Sequence, residues 1–216
     1  MVVLFFCKNL TCGMENNHKR CPWCEGDALY EQYHDKEWGV PIFDDLKLFE
    51  FLTLETFQAG LSWITILRKR EHFRKAFDQF DYEKVARYGD EKINALLNNQ
   101  SIIRNKQKIK AAVNNAQHFI GIRQEHGTFS QYIWDFTRGK PLQNSFKTLE
   151  EIPAKTALSE RISKDLKQNG FQFIGPTVVY AHMQATGMVN DHLVGCFRYQ
   201  ELPQKIRKAD HRRARL

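Results

Sequence analysis

The feature that most constrains the fold is a repeat of apolar residues at helical spacing, which runs through most of residues 44–186. Ile109, Ala112 and Val113, for example, recur three and four positions apart, and this spacing places side chains on one face of an α-helix. Strict alternation of polar and apolar residues, which is typical of half-buried strands, is nearly absent. The pattern therefore predicts an all-α fold.

Capping residues and glycines divide this repeat into separate helices. Asp44 and Ser62 are residue types that favour helix N-termini, and Gly60 and Gly187 are typical of helix ends. Two short helices are expected to begin at Asp81 and at residue 90. The longer predicted helices span about residues 44–59, 62–77, 101–124, 129–137, 158–168 and 177–186. Together they predict a single domain of about nine helices at residues 21–200.

The two ends of the chain differ in charge from this predicted domain. The 216 residues carry a net charge of +7, yet residues 203–216 hold six basic groups against one acidic group. Residues 21–202 carry 23 basic and 23 acidic groups. We expect residues 1–20 and 201–216 to be disordered extensions, with the basic tail contacting phosphates non-specifically. The excess charge leaves nucleic acid and an anionic membrane surface open as partners, although no apolar run is long enough to span a membrane.

Cysteine and histidine occur in two pairs near opposite ends of the predicted domain. Thiolate and imidazole are ligands that Zn²⁺ prefers, and a set of two cysteines and two histidines forms a closed structural site. On spacing alone, scattered buried cysteines and ordinary histidines are the more frequent explanation. Cys24 is also an alternative ligand, because it follows the first cysteine by three positions. The two pairs are Cys21 with His34 and, four residues apart on an expected helical turn, His192 with Cys196.

Aromatic residues are concentrated between residues 23 and 63. Their faces can stack on a nucleic-acid base and attract a cationic base, although such residues more often fill cores. Glu55 shares a predicted helix face with Leu48 and Phe51. A carboxylate on an apolar face costs several kcal/mol unless it is paired, so such residues are disproportionately functional. The aromatic residues are Trp23, Tyr30, Tyr33, Trp38 and Trp63.

A glycine-marked turn, residues 170–177, joins the last two predicted helices. Backbone N–H groups at such a turn, next to a helix N-terminus, suit a DNA phosphate, although many helix pairs are joined in this way. A basic run offers a second candidate phosphate contact, although such runs are more often solvated helix faces. This run comprises Arg104, Lys106, Lys108 and Lys110.

Five segments that carry these residues occur in order across residues 21–199. They are Cys21-x-Trp23, Tyr30–Pro41, Leu54–Trp63, Gly170–Gly175 and Val189–Cys196. Their joint occurrence resembles the 3-methyladenine DNA glycosylase I family, which belongs to the helix-hairpin-helix DNA-repair superfamily. The resemblance implies an all-α domain with a helix-hairpin-helix motif, and duplex DNA containing 3-methyladenine as the partner.

The resemblance also implies roles for individual residues. Glu55 would be the catalytic residue and, with Tyr33, would hydrogen-bond the flipped base while Trp63 stacks on it. Tyr30, Trp38 and Trp23 would form the walls of the base pocket. One structural zinc per chain would join the N- and C-terminal segments, leaving Cys24 out. The implied zinc ligands are Cys21, His34, His192 and Cys196, and the implied DNA contacts are Gln58 and Leu61 in the opened duplex and Phe173, Gly175 and Thr177 in the hairpin.

The implied reaction is hydrolysis of the N-glycosidic bond of 3-methyladenine, which leaves an abasic site. Many relatives in the superfamily carry a catalytic Asp where this chain has Asn190, with Asp191 next to it. Alkylated adenine is already a cation and a good leaving group, so a strong general base matters less. The matching motifs supply no lysine nucleophile, so we expect no lyase activity.

We further expect a cytoplasmic, nucleoid-associated monomer that needs no protein partner and does not bind membranes. The alternative is a non-catalytic, zinc-stapled DNA-binding module. Such a module would keep the hairpin and the metal and release no base.

Overall fold

The computed structural model describes residues 19–202, and most of this part of the chain is helical. Residues 22–24, 78–80 and 149–151 form short 3₁₀-helices, and residues 197–202 are also helical. Two strands of two residues each, β1 (Leu142–Gln143) and β2 (Val189–Asn190), pair in parallel. The α-helices are α1 (Ala28–Lys36), α2 (Asp45–Gln58), α3 (Trp63–Ala76), α4 (Tyr82–Val85), α5 (Asp90–Asn98), α6 (Lys106–His126), α7 (Phe129–Asp135), α8 (Ala157–Gln168) and α9 (Pro176–Ala185).

Most helix boundaries follow the capping residues in the sequence. The Asp44 side chain accepts a hydrogen bond from the backbone N–H of Lys47 at the start of α2. At the start of α8, Thr156 and Ser159 form a reciprocal capping box. These side chains satisfy N–H groups that have no partner within the helix. The mostly helical fold and the extents of α2, α3, α8 and α9 agree with the sequence-based prediction.

Three local predictions were wrong. Helix α6 begins at Lys106 and not near residue 101, because the Asn105 side chain caps it through the N–H of Lys108. Helix α1 was absent from the predicted ranges; it is short and begins at an Asp27 cap. His192 and Cys196 do not share a helical turn, because residues 191–196 form an irregular loop and turn.

Helix α2 passes through the centre of the core. All its residues from Leu48 to Phe57 are buried, and the helix packs against α3, α6, α7 and α9. Glu55 is therefore carried into the interior by its neighbours on the helix. Within residues 19–202, no helix is both long and apolar enough to cross a membrane.

Candidate active site

A cavity of about 230 Å³ opens beside the C-terminal half of α2. Helix α1 and the segments on either side of it supply most of its aromatic wall. The other lining residues come from α2, α3 and α9 and from Ile152, which follows the 3₁₀-helix at residues 149–151. Every residue that the sequence assigned to a base pocket lines this one cavity. The lining residues are Trp23, Tyr30, Tyr33, Trp38, Glu55, Gln58, Trp63, Ile152, Ala181 and Gln184.

The aromatic side chains pack against one another around the cavity. The ring centroids of Tyr33 and Trp63 are 5.5 Å apart, and Trp23 makes edge contacts at 4.8 Å with Tyr30 and at 5.0 Å with Trp38. Such contacts fix the rings in place, so the cavity is a preformed slot with aromatic walls. A planar base could stack within it.

The Glu55 carboxylate lies in this cavity without a hydrogen bond or ion pair to any residue of 19–202. Only 4% of the Glu55 residue is exposed, and this burial raises the pKa of its carboxyl group to about 8. Trp63 also contributes a buried Nε1–H with no partner in the described part of the chain. A buried polar group without a hydrogen-bond partner destabilises the folded state. The Glu55 carboxylate and the Trp63 N–H are two such groups, and both residues line the same cavity.

Three lining residues were not predicted: Ile152, Ala181 and Gln184. Gln184 donates a 2.8 Å hydrogen bond from Nε2 to the buried Asp191 carboxylate. Asp191 also accepts hydrogen bonds from Tyr180 at 2.5 Å and Asn144 at 2.6 Å. Gln184 could have been noticed as one of the few polar residues of the mostly apolar α9, along with Thr177 and His182.

Asn190, which the resemblance places at the position of a catalytic Asp, is not among the residues that line this cavity. Asn190 is buried, and its Oδ1 accepts hydrogen bonds from the His192 backbone and from His192 Nδ1, at 3.2 and 2.9 Å. Its Nδ2 donates to the Gln143 side chain at 2.9 Å. Asn190 thus orients His192 and joins β2 to β1.

A second group of side chains brings the two ends of the domain together. The ligand atoms of Cys21, His34 and Cys196 all lie within 4.8 Å of one another, and all three residues are buried. His34 Nε2 is 3.4 Å from Cys196 Sγ. The hydrogen bond between Cys21 and Cys196 lowers the pKa of the Cys196 thiol and raises the pKa of the Cys21 thiol. The two thiols therefore do not both lose their protons on their own. Both can act as thiolate ligands only if a bound cation offsets their negative charges.

His192 lies beside this group of three, although it is not part of it. Its ring centroid is 4.8 Å from that of His34, and its Nε2 is buried with no partner among residues 19–202. The other ring nitrogens are held: His34 Nδ1 is 2.8 Å from Asp35, and His192 Nδ1 contacts Asn190. Such outer contacts typically orient metal-binding histidines, so the donors suit a metal ion. Cys24 donates to the Cys21 carbonyl oxygen and also hydrogen-bonds the His34 side chain, so it borders the group without being one of its three members.

The predicted DNA contacts lie in two turns on the surface. Leu61 follows α2 and is 38% exposed, and Phe173 lies between α8 and α9, is 41% exposed and has a φ of +56°. Gly175 is the N-cap residue of α9, and Thr177 is exposed in its first turn. Gln58 lines the cavity and donates to the Leu61 carbonyl oxygen at 2.9 Å.

The predicted basic run on α6 does not form one surface. Lys108 is buried, and its ammonium group donates to the carbonyl oxygens of Phe57 and Ala59. Arg104, Lys106 and Lys110 are exposed. Lys108 is therefore excluded as a phosphate contact, because its donors point into the protein.

Comparison with known proteins gives one consistent answer. DNA-3-methyladenine glycosylase 1 from Escherichia coli is 47% identical over 181 residues, which cover 84% of this chain and 97% of that protein. A crystal structure of 3-methyladenine DNA glycosylase I matches with a TM-score of 0.81 at 46% identity, covering 83% of this chain and 98% of the other. A variant of 3-methyladenine DNA glycosylase I in complex with 3-methyladenine matches with a TM-score of 0.80 at 37% identity, covering 82% and 96%.

The family model described as methyladenine glycosylase matches residues 23–199, which include the whole aromatic cavity. This match covers most of the chain and agrees with the relatives in both sequence and structure. The chain belongs to the methyladenine glycosylase family.

Proposed function

We propose that this protein is a DNA-3-methyladenine glycosylase, which hydrolyses the N-glycosidic bond of 3-methyladenine in alkylated duplex DNA and leaves an abasic site. The relatives that cover most of its length carry this activity in their names, and one similar structure holds 3-methyladenine. The observation that carries the proposal is the buried, unpaired Glu55 carboxylate in an aromatic cavity.

The chemistry of the substrate explains why this cavity suits it. A nucleotide methylated at N3 of adenine carries a positive charge on the base. Its entry would lower the raised pKa of Glu55, and the ionised carboxylate would then stabilise the cationic base at short range. Trp63 and Tyr33 would hold the flipped base by stacking and hydrogen bonding, with Tyr30, Trp38 and Trp23 as walls. The carboxylate would stabilise a neutral, undamaged adenine much less, because that base carries no positive charge.

The reaction itself needs little acid or base assistance. The bond between the base nitrogen and C1′ of the sugar breaks, and its electron pair neutralises the cationic base, which leaves as free 3-methyladenine. The oxygen of a water molecule forms the new bond to C1′, and its proton passes to solvent. Because the cationic base leaves readily, a strong general base matters less, and the buried Asn190 can stand where the resemblance implies an aspartate without loss of this route.

We propose that the enzyme is a monofunctional hydrolase. A lyase step would need an amine nucleophile to attack C1′. The side chains lining the described cavity instead offer one carboxylate, phenols, indoles and amides.

One structural zinc ion per chain, held by Cys21, His34, His192 and Cys196, is the second part of the proposal. The proximity of three of these donors and the unpaired Nε2 of His192 support it. When bound, the metal would close a loop of about 175 residues and so constrain the unfolded chain. It would leave Cys24 free of the metal.

Duplex DNA would be contacted by both surface turns. Gln58 and Leu61 would fill the gap left by the flipped nucleotide, because an exposed apolar side chain can act as a wedge between base pairs. Phe173, Gly175 and Thr177 would position the backbone, with N–H groups at the start of α9 directed to a phosphate. We propose that the protein acts as a monomer.

A base-release assay distinguishes this proposal from a non-catalytic DNA-binding module. Purified protein is incubated with duplex DNA treated with a methylating agent, and released bases are separated by chromatography. Release of 3-methyladenine supports the glycosylase. Binding to the same DNA without release would support the module.

A further inference from the structure

Lys108 makes an unusual contact between α6 and the end of α2. Its Nζ lies 3.0 Å from the carbonyl oxygen of Phe57 and 2.6 Å from that of Ala59. No carboxylate of residues 19–202 forms an ion pair with it, and 8% of the residue is exposed. The final carbonyls of a helix lack partners within the helix and carry partial negative charge, so an ammonium group stabilises them.

The turn that Lys108 holds is the one that carries the proposed wedge. Helix α2 ends at Gln58, and Gly60 has a φ of +85°, which a residue with a side chain adopts only with strain. The turn is closed by two contacts, from the Leu61 N–H to the Gln58 carbonyl oxygen at 2.7 Å and from the Gln58 side chain to the Leu61 carbonyl oxygen. Both contacts lie within the turn, so they do not tie it to the rest of the domain.

Asn115, also on α6, holds the hairpin turn in a comparable way. Its Oδ1 accepts from the backbone N–H of Gln172 at 2.7 Å, and its Nδ2 donates to the Gln172 carbonyl oxygen at 3.0 Å. The neighbouring Asn114 donates to the Gly170 carbonyl oxygen at 2.8 Å. Asn115 is buried, so these bonds are protected from competition with water.

The two anchoring residues lie on one face of a single helix. Lys108 and Asn115 are seven positions apart, which is close to two turns and about 10 Å along the axis. A continuous α-helix resists changes in this separation. The turn at residues 58–61 and the turn at residues 170–175 are thereby held at a fixed spacing.

We propose that Lys108 is a positioning residue for base excision, which anchors the wedge turn to α6 at a set distance from the hairpin turn that Asn115 holds. This inference rests on the proposed glycosylase function. Lys108 does not touch the base or the DNA; it sets where Leu61 enters the duplex. A displacement of about 1 Å in such a group can lower a rate by up to about 100-fold.

The test replaces Lys108 by Met, which keeps the length and apolar stem of the side chain and removes its donors. We expect the single-turnover rate of 3-methyladenine release from saturating duplex to fall about tenfold, which is the loss expected when the Leu61 wedge itself is removed. Binding of free 3-methyladenine and the salt dependence of DNA affinity should not change, since neither the cavity nor a phosphate contact is removed. Lys75→Met, an exposed change on α3, is the charge-matched control.

A double-mutant cycle shows whether Lys108 acts through the wedge. In a Leu61→Ala background, Lys108→Met should lower the rate of 3-methyladenine release by less than about twofold, because the side chain that Lys108 positions is already absent. An equal reduction in both backgrounds, or a wild-type rate in the single variant, would overturn the proposal. So would a salt slope reduced by about one, since that indicates a direct phosphate contact.

Two further results keep the test decisive. If Lys108→Met does not fold, Lys108→Leu, which also lacks donors, is put through the same cycle and judged by the same outcomes. If the wild-type protein releases no 3-methyladenine, the proposed function has failed, whereas a normal wild-type rate with an unaffected variant refutes only the role of Lys108.

Discussion

The indole of Trp38 packs against the imidazole of His192, with ring centroids 4.5 Å apart. Trp38 also lines the aromatic cavity, so one side chain joins the cavity to the cysteine and histidine group. Helix α1 joins them as well, because Tyr33 faces the cavity and the adjacent His34 lies among the candidate metal ligands. Removal of the proposed zinc should therefore disturb base binding as well as stability.

Replacing Cys196 by Ser should abolish binding of the proposed zinc. We expect the content to fall from about one zinc per chain to below about 0.2, and the free energy of unfolding to fall by about 3 kcal/mol or more, as when a crosslink over a long loop is removed. Metal analysis and denaturant unfolding measure the two effects. Cys24→Ser is the matched control, because Cys24 is equally buried yet lies outside the group; metal depletion in that variant would contradict the assignment.

The raised pKa of Glu55 predicts a specific pH dependence of stability. The pKa is about 8 in the folded protein and ordinarily 4.5, so between these values the folded state holds a proton that the unfolded state has released. Stability therefore falls as pH rises across this window, by at most about 1.4 kcal/mol per pH unit.

The Glu55→Gln variant lacks this titration and serves as the reference. Denaturant unfolding of both proteins from pH 5 to pH 8 should give a wild-type curve that declines relative to that of the variant. Parallel curves would mean that Glu55 titrates normally and that its burial is not maintained in solution.

Leu61→Ala tests the wedge. We expect excision from duplex DNA to fall about tenfold, equivalent to about 1.4 kcal/mol, because less apolar surface would fill the gap between the base pairs. Binding of free 3-methyladenine should be unchanged. Leu46→Ala is the control, since Leu46 is similarly exposed but lies at the opposite end of α2; equal reductions in the two variants would count against the wedge.

The basic tail, residues 203–216, lies outside the described residues, and its charge alone supports a prediction. Its deletion removes a net charge of +5. Affinity for undamaged DNA should weaken and its salt dependence should become shallower, by about 0.9 in slope for each phosphate that the tail neutralises in the full-length protein. The rate of excision at saturating DNA should change less than about twofold. A large fall in this rate would place the tail in the catalytic complex.

Much of the fold follows from local signals in the sequence. Asp44 and Ser62 mark helix starts, and the apolar faces between the caps and glycines define where α2 and α3 pack. The start of α6 could not be predicted in this way. Ile102 lies in an irregular segment before the helix, and because it is apolar and buried its spacing extends the helical repeat. Helix α1 was not predicted because its sequence is mostly polar and lacks an apolar repeat; it is stabilised by tertiary contacts.

The cavity was predictable only in part. Glu55 could be identified because a carboxylate on an apolar helix face is energetically costly unless it has a partner or a function. The aromatic residues could be identified because five tryptophan and tyrosine residues occur between residues 23 and 63. Ile152 and Ala181 carry no such chemical signal and reach the cavity through tertiary packing. Lys108 was wrongly included among the candidate phosphate contacts. Nothing in the neighbouring sequence distinguishes an exposed lysine from this buried lysine, which donates to two backbone carbonyl oxygens.

The most direct test is release of 3-methyladenine from methylated duplex DNA by the wild-type protein and by Glu55→Gln under single-turnover conditions. Glutamine keeps the shape of the side chain and removes its charge, so the variant should fold and bind zinc as the wild type does. We expect the wild type to release the base and the variant to do so about 100-fold more slowly, as is typical when an electrostatic interaction is removed from an active site. A wild type that releases no base, or a variant as fast as the wild type, would contradict the account.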